Sequence, residues 1–407
     1  MGRSLHTATL IGTKIFFLGG ALGSINRVLQ PSNDFFYLDI SKSFDKTNGN
    51  LPFIDLNYKA LEIPPHYGSA ATAFGTPKDS IFLFGGDMGN LNIPSKLAFS
   101  FNSTQLEWNT VTVFQGTIPA REMIMKAVTD NNNKIYIFGG AFGGINAQGV
   151  SGYIYNGDMN IFDATNKIWV VGEGGRYGRD GHTATFLPDT GEIIYIGGIN
   201  AGTGLIDITN LEFYNTASNT WKTQPTINPP EPRYGHTAVL TNDMRIIVFG
   251  GAQANINIPV NNRYVVLDTK TFEWYHGKGD SSTRAPFRHH TATLYNDYMF
   301  IAFGFVDSIN AQFSNNILIY KIGDYANFTE VDNFINEGVT TVKSTTISST
   351  PSSTPSINES KPSNSNIGII ISVTLGSILG IIIFGFIGFI TFKRYKKRTY
   401  PPIIPTP

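Results

Sequence analysis

Along roughly the first 335 residues, apolar side chains gather in short runs and not on helical stripes. Ile15-Phe16-Phe17-Leu18, Ile81-Phe82-Leu83-Phe84, Ile135-Tyr136-Ile137-Phe138, Ile193-Ile194-Tyr195-Ile196 and Ile246-Ile247-Val248-Phe249 are five such runs. Runs this short, bounded by turn residues, predict strands buried on both faces. Each ends in a glycine pair: Gly19-Gly20, Gly85-Gly86, Gly139-Gly140, Gly197-Gly198 and Gly250-Gly251. A sixth, degenerate copy is read at Gly304-Phe305. Two glycines at a strand end suit a point where backbones crowd and no Cβ fits.

Variants of one hexapeptide precede the apolar runs: Arg3-Ser4-Leu5-His6-Thr7-Ala8, Arg179-Asp180-Gly181-His182-Thr183-Ala184 and Arg233-Tyr234-Gly235-His236-Thr237-Ala238. Downstream, Asn102 lies six residues before Trp108, and the same spacing joins Asp163 to Trp169, Asn215 to Trp221 and Asp268 to Trp274. Asp and Asn open turns by bonding their own downstream backbone, and each Trp then supplies a large buried surface on the last strand. One unit is therefore four strands. The glycine pairs recur every roughly 50–60 residues after a longer first interval, which carries an insertion around Lys42 to Asn50. A four-stranded sheet cannot bury both faces alone, so copies must pack in a ring.

In these residues the sequence resembles the kelch family, whose blades carry the double glycine, the spaced aromatic and a terminal Trp. The resemblance covers residues 3–335 and implies an all-β propeller of about six four-stranded blades. Three departures stand out. Phe53 replaces the Trp of the first unit, the sixth has no Trp, and the third has Ile124 in the His position. The family includes enzymes of galactose oxidase-like architecture, whose copper site needs a Tyr–Cys cross-link. This chain has no cysteine, so that cofactor cannot form, and disulfides and thiolate metal sites are excluded with it. No Glu begins the Glu-x-x-x-Asp-x-x-x-His spacing of nitrile-specifier-like relatives. No catalytic, cofactor or metal residues are assigned.

Past residue 335 the composition changes. Residues 336–366 are dominated by Ser, Thr, Pro and Asn, which predicts an extended, O-glycosylated stalk. From Ile367 to Phe392 there is no charge. As a helix this run spans roughly 39 Å, enough to cross a bilayer core of about 30 Å. Lys393, Arg394, Lys396, Lys397 and Arg398 follow at once, so the Pro-rich tail 393–407 is expected in the cytosol and the propeller outside or in a lumen. The sequons at Asn102, Asn327 and Asn358 fit that side. Ser372, Gly376 and Gly380 form a small-residue stripe that would pair two such helices. No signal peptide precedes the first repeat, so a truncated start is expected. The competing topology is a tail-anchored protein with its propeller in the cytosol.

Thirty basic and thirty acidic residues balance, so no global field recruits nucleic acid. The histidines in register (His6, His182, His236, His290) are read as a repeated structural hydrogen bond. The arginines taken as in register (Arg3, Arg121, Arg179, Arg233) are read as pairing with local carbonyls or with a carboxylate of the next blade. The leading expectation is a non-enzymatic, membrane-tethered module that binds a protein or glycan partner. Its binding surface would be the loops after the glycine pairs: 21–34, 87–96, 141–157, 198–209 and 252–262. An extracellular carbohydrate-active enzyme and a cytosolic tail-anchored scaffold are the alternatives.

Overall fold

Six four-stranded antiparallel sheets follow one another along the chain in a computed structural model that describes residues 1–25, 28–89, 98–145, 151–253, 258–277, 285–307 and 312–337. Blade 1 comprises Thr7–Ile11, Lys14–Leu18, Phe35–Asp39 and Phe53–Asp55. Blade 2 comprises Ala70–Phe74, Ser80–Phe84, Ala98–Asn102 and Glu107–Thr110, and blade 3 Lys126–Thr129, Lys134–Phe138, Met159–Asp163 and Ile168–Val171. Blade 4 holds Thr183–Leu187, Glu192–Ile196, Asn210–Asn215 and Thr220–Pro225. Blade 5 holds Arg245–Phe249 and Tyr264–Asp268 between Thr237–Leu240 and Trp274–His276. Blade 6 runs Thr291–Tyr295, Tyr298–Ala302, Ile317–Ile322 and Phe328–Val331. Each innermost strand touches those of the two neighbouring blades, Thr291–Tyr295 meeting Thr7–Ile11, so six blades close the ring.

The repeat residues explain this packing. Asn102, Asp163, Asn215 and Asp268 each accept two backbone N–H bonds through Oδ1, from the residues two and three positions on. Those turns deliver the tryptophans onto the preceding blade. Trp108 meets Phe35 of blade 1, Trp169 meets Phe82 and Phe84 of blade 2, and Trp221 meets Phe138 of blade 3. Trp274 is fully buried with Leu187, Ile194 and Ile196 of blade 4. In blade 6 the Trp register falls on Glu330, opposite Tyr320. Phe328 fills the space instead, stacking 3.8 Å from Tyr264 of blade 5.

The glycine pairs sit where blades meet. Both residues are left-handed, with φ of 71° and 109° at Gly139 and Gly140. A Cβ on Gly139 would lie 2.5 Å from the Arg179 carbonyl and 2.6 Å from the His182 ring of the next blade. The sixth pair is Phe303-Gly304 and not Gly304-Phe305. Phe305 bridges Arg288 as Ala21 bridges Ser4, and Phe303 (φ 58°) and Gly304 (φ 93°) take the left-handed pair.

The insertion in blade 1 also has a structural role. Phe44–Asp45 pairs with Asn333–Phe334 from the end of blade 6. Lys46 Nζ lies 3.2 Å from both Glu330 and Asp332, and Asn336 Nδ2 donates to the Ile40 carbonyl at 2.9 Å. Phe334 is wholly buried among Phe44, Tyr298 and Phe300. This clasp joins the last blade to the first.

Among the described residues no helix is long and apolar enough to cross a membrane. The expected stalk, the run from Ile367 to Phe392, the basic tail, Asn358 and the Ser372, Gly376, Gly380 stripe all lie outside the described residues. Truncating Phe334 to Ala should remove the clasp's packing and cost about 3–5 kcal/mol. Thermal and urea unfolding of the variant against the native chain measure this.

Candidate functional site: the axial channel and the hairpin face

The segment leading into each inner strand repeats with a fixed register. Ser4, Tyr67, Met123, Asp180, Tyr234 and Arg288 each bridge the residue that follows a glycine pair. The next slot is left-handed and holds Leu5, Gly68, Ile124, Gly181, Gly235 and His289. The third blade therefore differs from the sequence reading by one residue. Ile124 fills the left-handed slot, Met125 the His slot, and Glu122, not Arg121, the Arg slot.

The His slot behaves as a seam lock. His236 Nε2 and Thr183 Oγ1 share a hydrogen bond at 3.3 Å across blades 4 and 5. His290 with Thr237, and His6 with Thr291, repeat it at 2.9 Å across the next two seams. The remaining seams differ. Ser69 stands in the His slot of blade 2 and donates to the Gly85 carbonyl. Between blades 2 and 3, Ala70 and Met125 share an apolar cluster, and a Thr72–Thr129 hydrogen bond at 3.1 Å crosses the seam further along the strands. Between blades 3 and 4, Lys126 replaces the threonine, and both ring nitrogens of buried His182 are left without a partner.

One residue further, Ala8, Ala71, Ala127, Ala184, Ala238 and Ala292 ring the axis and bound a cavity of about 220 Å³. A second opening at the far end is lined by Thr9, Thr72, Thr293 and Leu294. Lys126 is the one lysine or arginine among the lining residues, and burial lowers its pKa against the opposing pull of Asp180. Burial depresses the pKa of His6, His182, His236, His289 and His290, and the Lys126 charge adds a smaller push in each. These histidines come from four other parts of the ring, so the ammonium lies near the axis.

The segments after the glycine pairs form β-structure on one face. Ala21–Ile25 pairs with Val28–Pro31, Ala141–Ile145 with Ser151–Tyr155, Ile199–Asn200 with Gly204–Leu205, and Phe305–Asp307 with Gln312–Phe313. Leu29, Leu205, Ala252 and Phe313, from blades 1, 4, 5 and 6, pack with Tyr234 in a single cluster. The expected clustering of these loops is therefore present; residues 90–97, 146–150 and 254–257 lie outside the described residues. Polar groups border the mouth. Tyr67 donates to Asp87 at 2.7 Å, and Asn156 Nδ2 donates to Glu122 at 2.5 Å. Burial pushes the Glu122 carboxyl up to about 7. Burial does the same at Asp180, also about 7, against the opposing pull of Lys126. Phe142 and Tyr153 stand exposed on the blade 3 hairpin, Tyr153 by 58%.

A kelch profile described as the KLHDC2/KLHL20/DRC7 Kelch-repeats domain matches residues 5–213 and 181–333. The chain belongs to the kelch-repeat family. A 79-residue stretch is 33% identical to the Rho GTPase-activating protein gacHH of Dictyostelium discoideum, covering 19% of this chain and 5% of that protein. Kelch domain-containing protein 1 of Mus musculus is 26% identical over 156 residues, 38% of this chain and 36% of the mouse protein. The human protein of that name is 27% identical over 151 residues, 36% of this chain and 35% of its own length. The matched segments thus cover only part of each relative.

In this kelch propeller the arginines in register are committed to their own blades. Arg3 donates to the Gly19 carbonyl at 3.0 Å and pairs with Asp34 at 2.9 Å. Arg233 donates to Gly250 at 3.0 Å, and Arg179 donates to Gly197 and pairs with Glu212. The carboxylates come from the same blade, not the next. His289 and His290 face apart, His289 to Tyr234 and Phe305 and His290 to Thr237 and Phe249. Among the described residues no three His, Asp or Glu side chains are placed to hold a metal. Lys126, Glu122 and Asp180 were not singled out by the sequence reading; the signal was a charge in the Thr slot of one inner strand.

Burial makes kelch stability depend on pH. His6, His66, His182, His236, His289 and His290 have depressed pKa values, burial being the largest cause in each. The unfolded chain protonates them near 6.5 and the folded chain does not, so stability falls as pH drops below 6.5. Glu122 and Asp180 oppose this, because their protonated forms favour the fold at low pH and that contribution is lost as pH rises through about 7. Six groups outweigh two. His236→Gln should therefore flatten the decline between pH 6 and 5 by about 1.4 kcal/mol per pH unit, measured by urea unfolding at a series of pH values.

Proposed function

We propose that this chain is a membrane-tethered kelch protein whose hairpin face binds a protein or glycan partner, without catalysis of its own. The convergence of the hairpins from different blades on one face carries the reading. Exposed Val28, Phe142, Tyr153 and Ile258 on that face, bordered by Tyr67, Asp87 and Glu122, supply the mix of aromatic anchors and polar rim that recognition uses.

The tether rests on the uncharged run from Ile367 to Phe392 and the basic cluster after it, which orient the propeller outward. Asn327 is exposed at the turn before the last strand of blade 6, as an acceptor asparagine must be. Asn102 is half-buried and its Oδ1 caps a turn, so it is the poorer acceptor.

A second reading, an extracellular carbohydrate-active enzyme, is favoured by one observation. Glu122 and Asp180, both raised to about 7, are carboxyls of the kind that general acid catalysis employs.

Glycosidase treatment of the full chain from eukaryotic cells tests the topology. A mobility shift, lost mainly in Asn327→Gln and fully in the triple Asn102→Gln, Asn327→Gln, Asn358→Gln variant, is the expected result. No shift, with a propeller open to protease added to intact microsomes, would reverse it in favour of a cytosolic scaffold. For the face itself, the double variant Phe142→Ala, Tyr153→Ala should weaken capture of cell-surface ligands at least tenfold with an unchanged melting temperature. Unchanged capture by that variant, together with hydrolysis of glycan substrates lost on Glu122→Gln, would favour the enzyme.

A further inference from the structure

A cavity of about 660 Å³ opens between blades 5 and 6, at the end of the strands opposite the hairpin face. The turns that join the first and second strands of these two blades form its sides. Both turns carry the same pair, Asn242-Asp243 and Asn296-Asp297. Half-buried Tyr295 and Ile335, exposed by 47%, add apolar wall. The walls are braced across the seam: Arg245 donates to Asp243 at 2.7 Å and to the Gly323 carbonyl of blade 6 at 3.0 Å. The charges are largely answered within the protein. Asp243 has Arg245, Asp297 has Lys321 at 3.5 Å, and exposed Glu337 acts on the same lysine from farther off. The amides are not answered. Among the described residues the side chains of Asn242 and Asn296, both exposed, have no hydrogen-bond partner. Each amide offers two donors and an acceptor, and each carboxylate keeps lone pairs that a single cation does not use.

We infer that this cavity is a binding site for a short neutral carbohydrate, held by the two Asn-Asp turns with a sugar ring against Tyr295. An anion would meet three lining carboxylates against one guanidinium, and a cation would find two of those carboxylates already paired. A sugar fits both conditions. Its neighbouring hydroxyls need donors and acceptors side by side, which the amides and the free carboxylate lone pairs supply. Its C–H face needs an apolar surface, which Tyr295 and Ile335 supply. The volume falls within the roughly 300–1,000 Å³ of small-ligand sites. The site lies at the other end of the strands from the hairpins, and its occupation does not depend on any partner there.

Saturation-transfer NMR tests this on the full chain, held in a detergent without a sugar headgroup. The probes are the methyl glycosides of glucose, galactose, mannose and fucose, with lactose, maltose and cellobiose. At least one should bind the native chain saturably, and spermidine should not displace it. Asn296→Gly removes an amide and keeps the left-handed backbone of that turn (φ 54°). Combined with Asn242→Ala, it should weaken the sugar at least tenfold. Ile335→Trp, which fills the cavity from its rim, should do the same. Silence from every probe, or displacement by spermidine, would overturn the inference. So would binding that survives in these variants and falls instead in the Phe142→Ala, Tyr153→Ala chain, because the sugar would then sit on the hairpin face. Should the variants fail to fold, the side-chain amide resonances of Asn242 and Asn296 in the native chain decide it. A saturable sugar-dependent shift of both supports the site, and indifference removes it.

Discussion

Neighbouring blades touch at a point where a side chain has no room. The carbonyl of the Arg slot and the ring of the His slot press against the first glycine of the preceding blade, and the distance left for a Cβ at Gly139 or Gly197 is 2.5 Å. Everything else about the ring follows from that approach. The left-handed pair turns the chain out of the second strand and into the hairpin face. It brings the His ring within reach of the threonine one blade back, and it frees the carbonyl that the buried arginine takes.

The one place without the first glycine shows what the rule costs. Phe303 adopts the left-handed conformation at the seam between blades 6 and 1 and lies against His6, Phe17 and Phe36, with the Arg3 guanidinium 5.5 Å above its ring. Burial of a large aromatic offsets a strained backbone there. The same trade occurs at Leu5, Ile124 and His289, which take by force a conformation that Gly68, Gly181 and Gly235 take freely. The slots nearest the axis also vary between blades, and Lys126 sits in one of them.

Much of this was legible in the sequence, because glycine pairs, Asx turns and tryptophans are local signals with a fixed spacing. The strands, the six units and the clustering of the hairpins all follow from them. Two of the errors share one cause. Arg121 looks like the repeat arginine and Phe303 does not look like a glycine, so a reading by residue type slips by one position at both places. Only the backbone shows that Ile124 and Phe303 are left-handed. Contacts such as Tyr67 with Asp87 or Asn156 with Glu122 were not legible either, since they join segments whose approach depends on the curvature of the ring. Lys126 was hidden for a related reason: its meaning lies in the histidine it leaves alone one blade away.

Each blade is drawn from one continuous stretch of chain, so no strand is exchanged between the last blade and the first. That junction is spanned by the His6–Thr291 bond, by the packing of Phe303 on Phe17 and Phe36, and by the clasp of Phe44–Asp45 with Asn333–Phe334. This has a mechanical meaning. Tension applied to the chain beyond Glu337 reaches the clasp before it reaches any blade, and it meets a ladder only two residues long. The last described residues are thus anchored to the first blade and not only to their own.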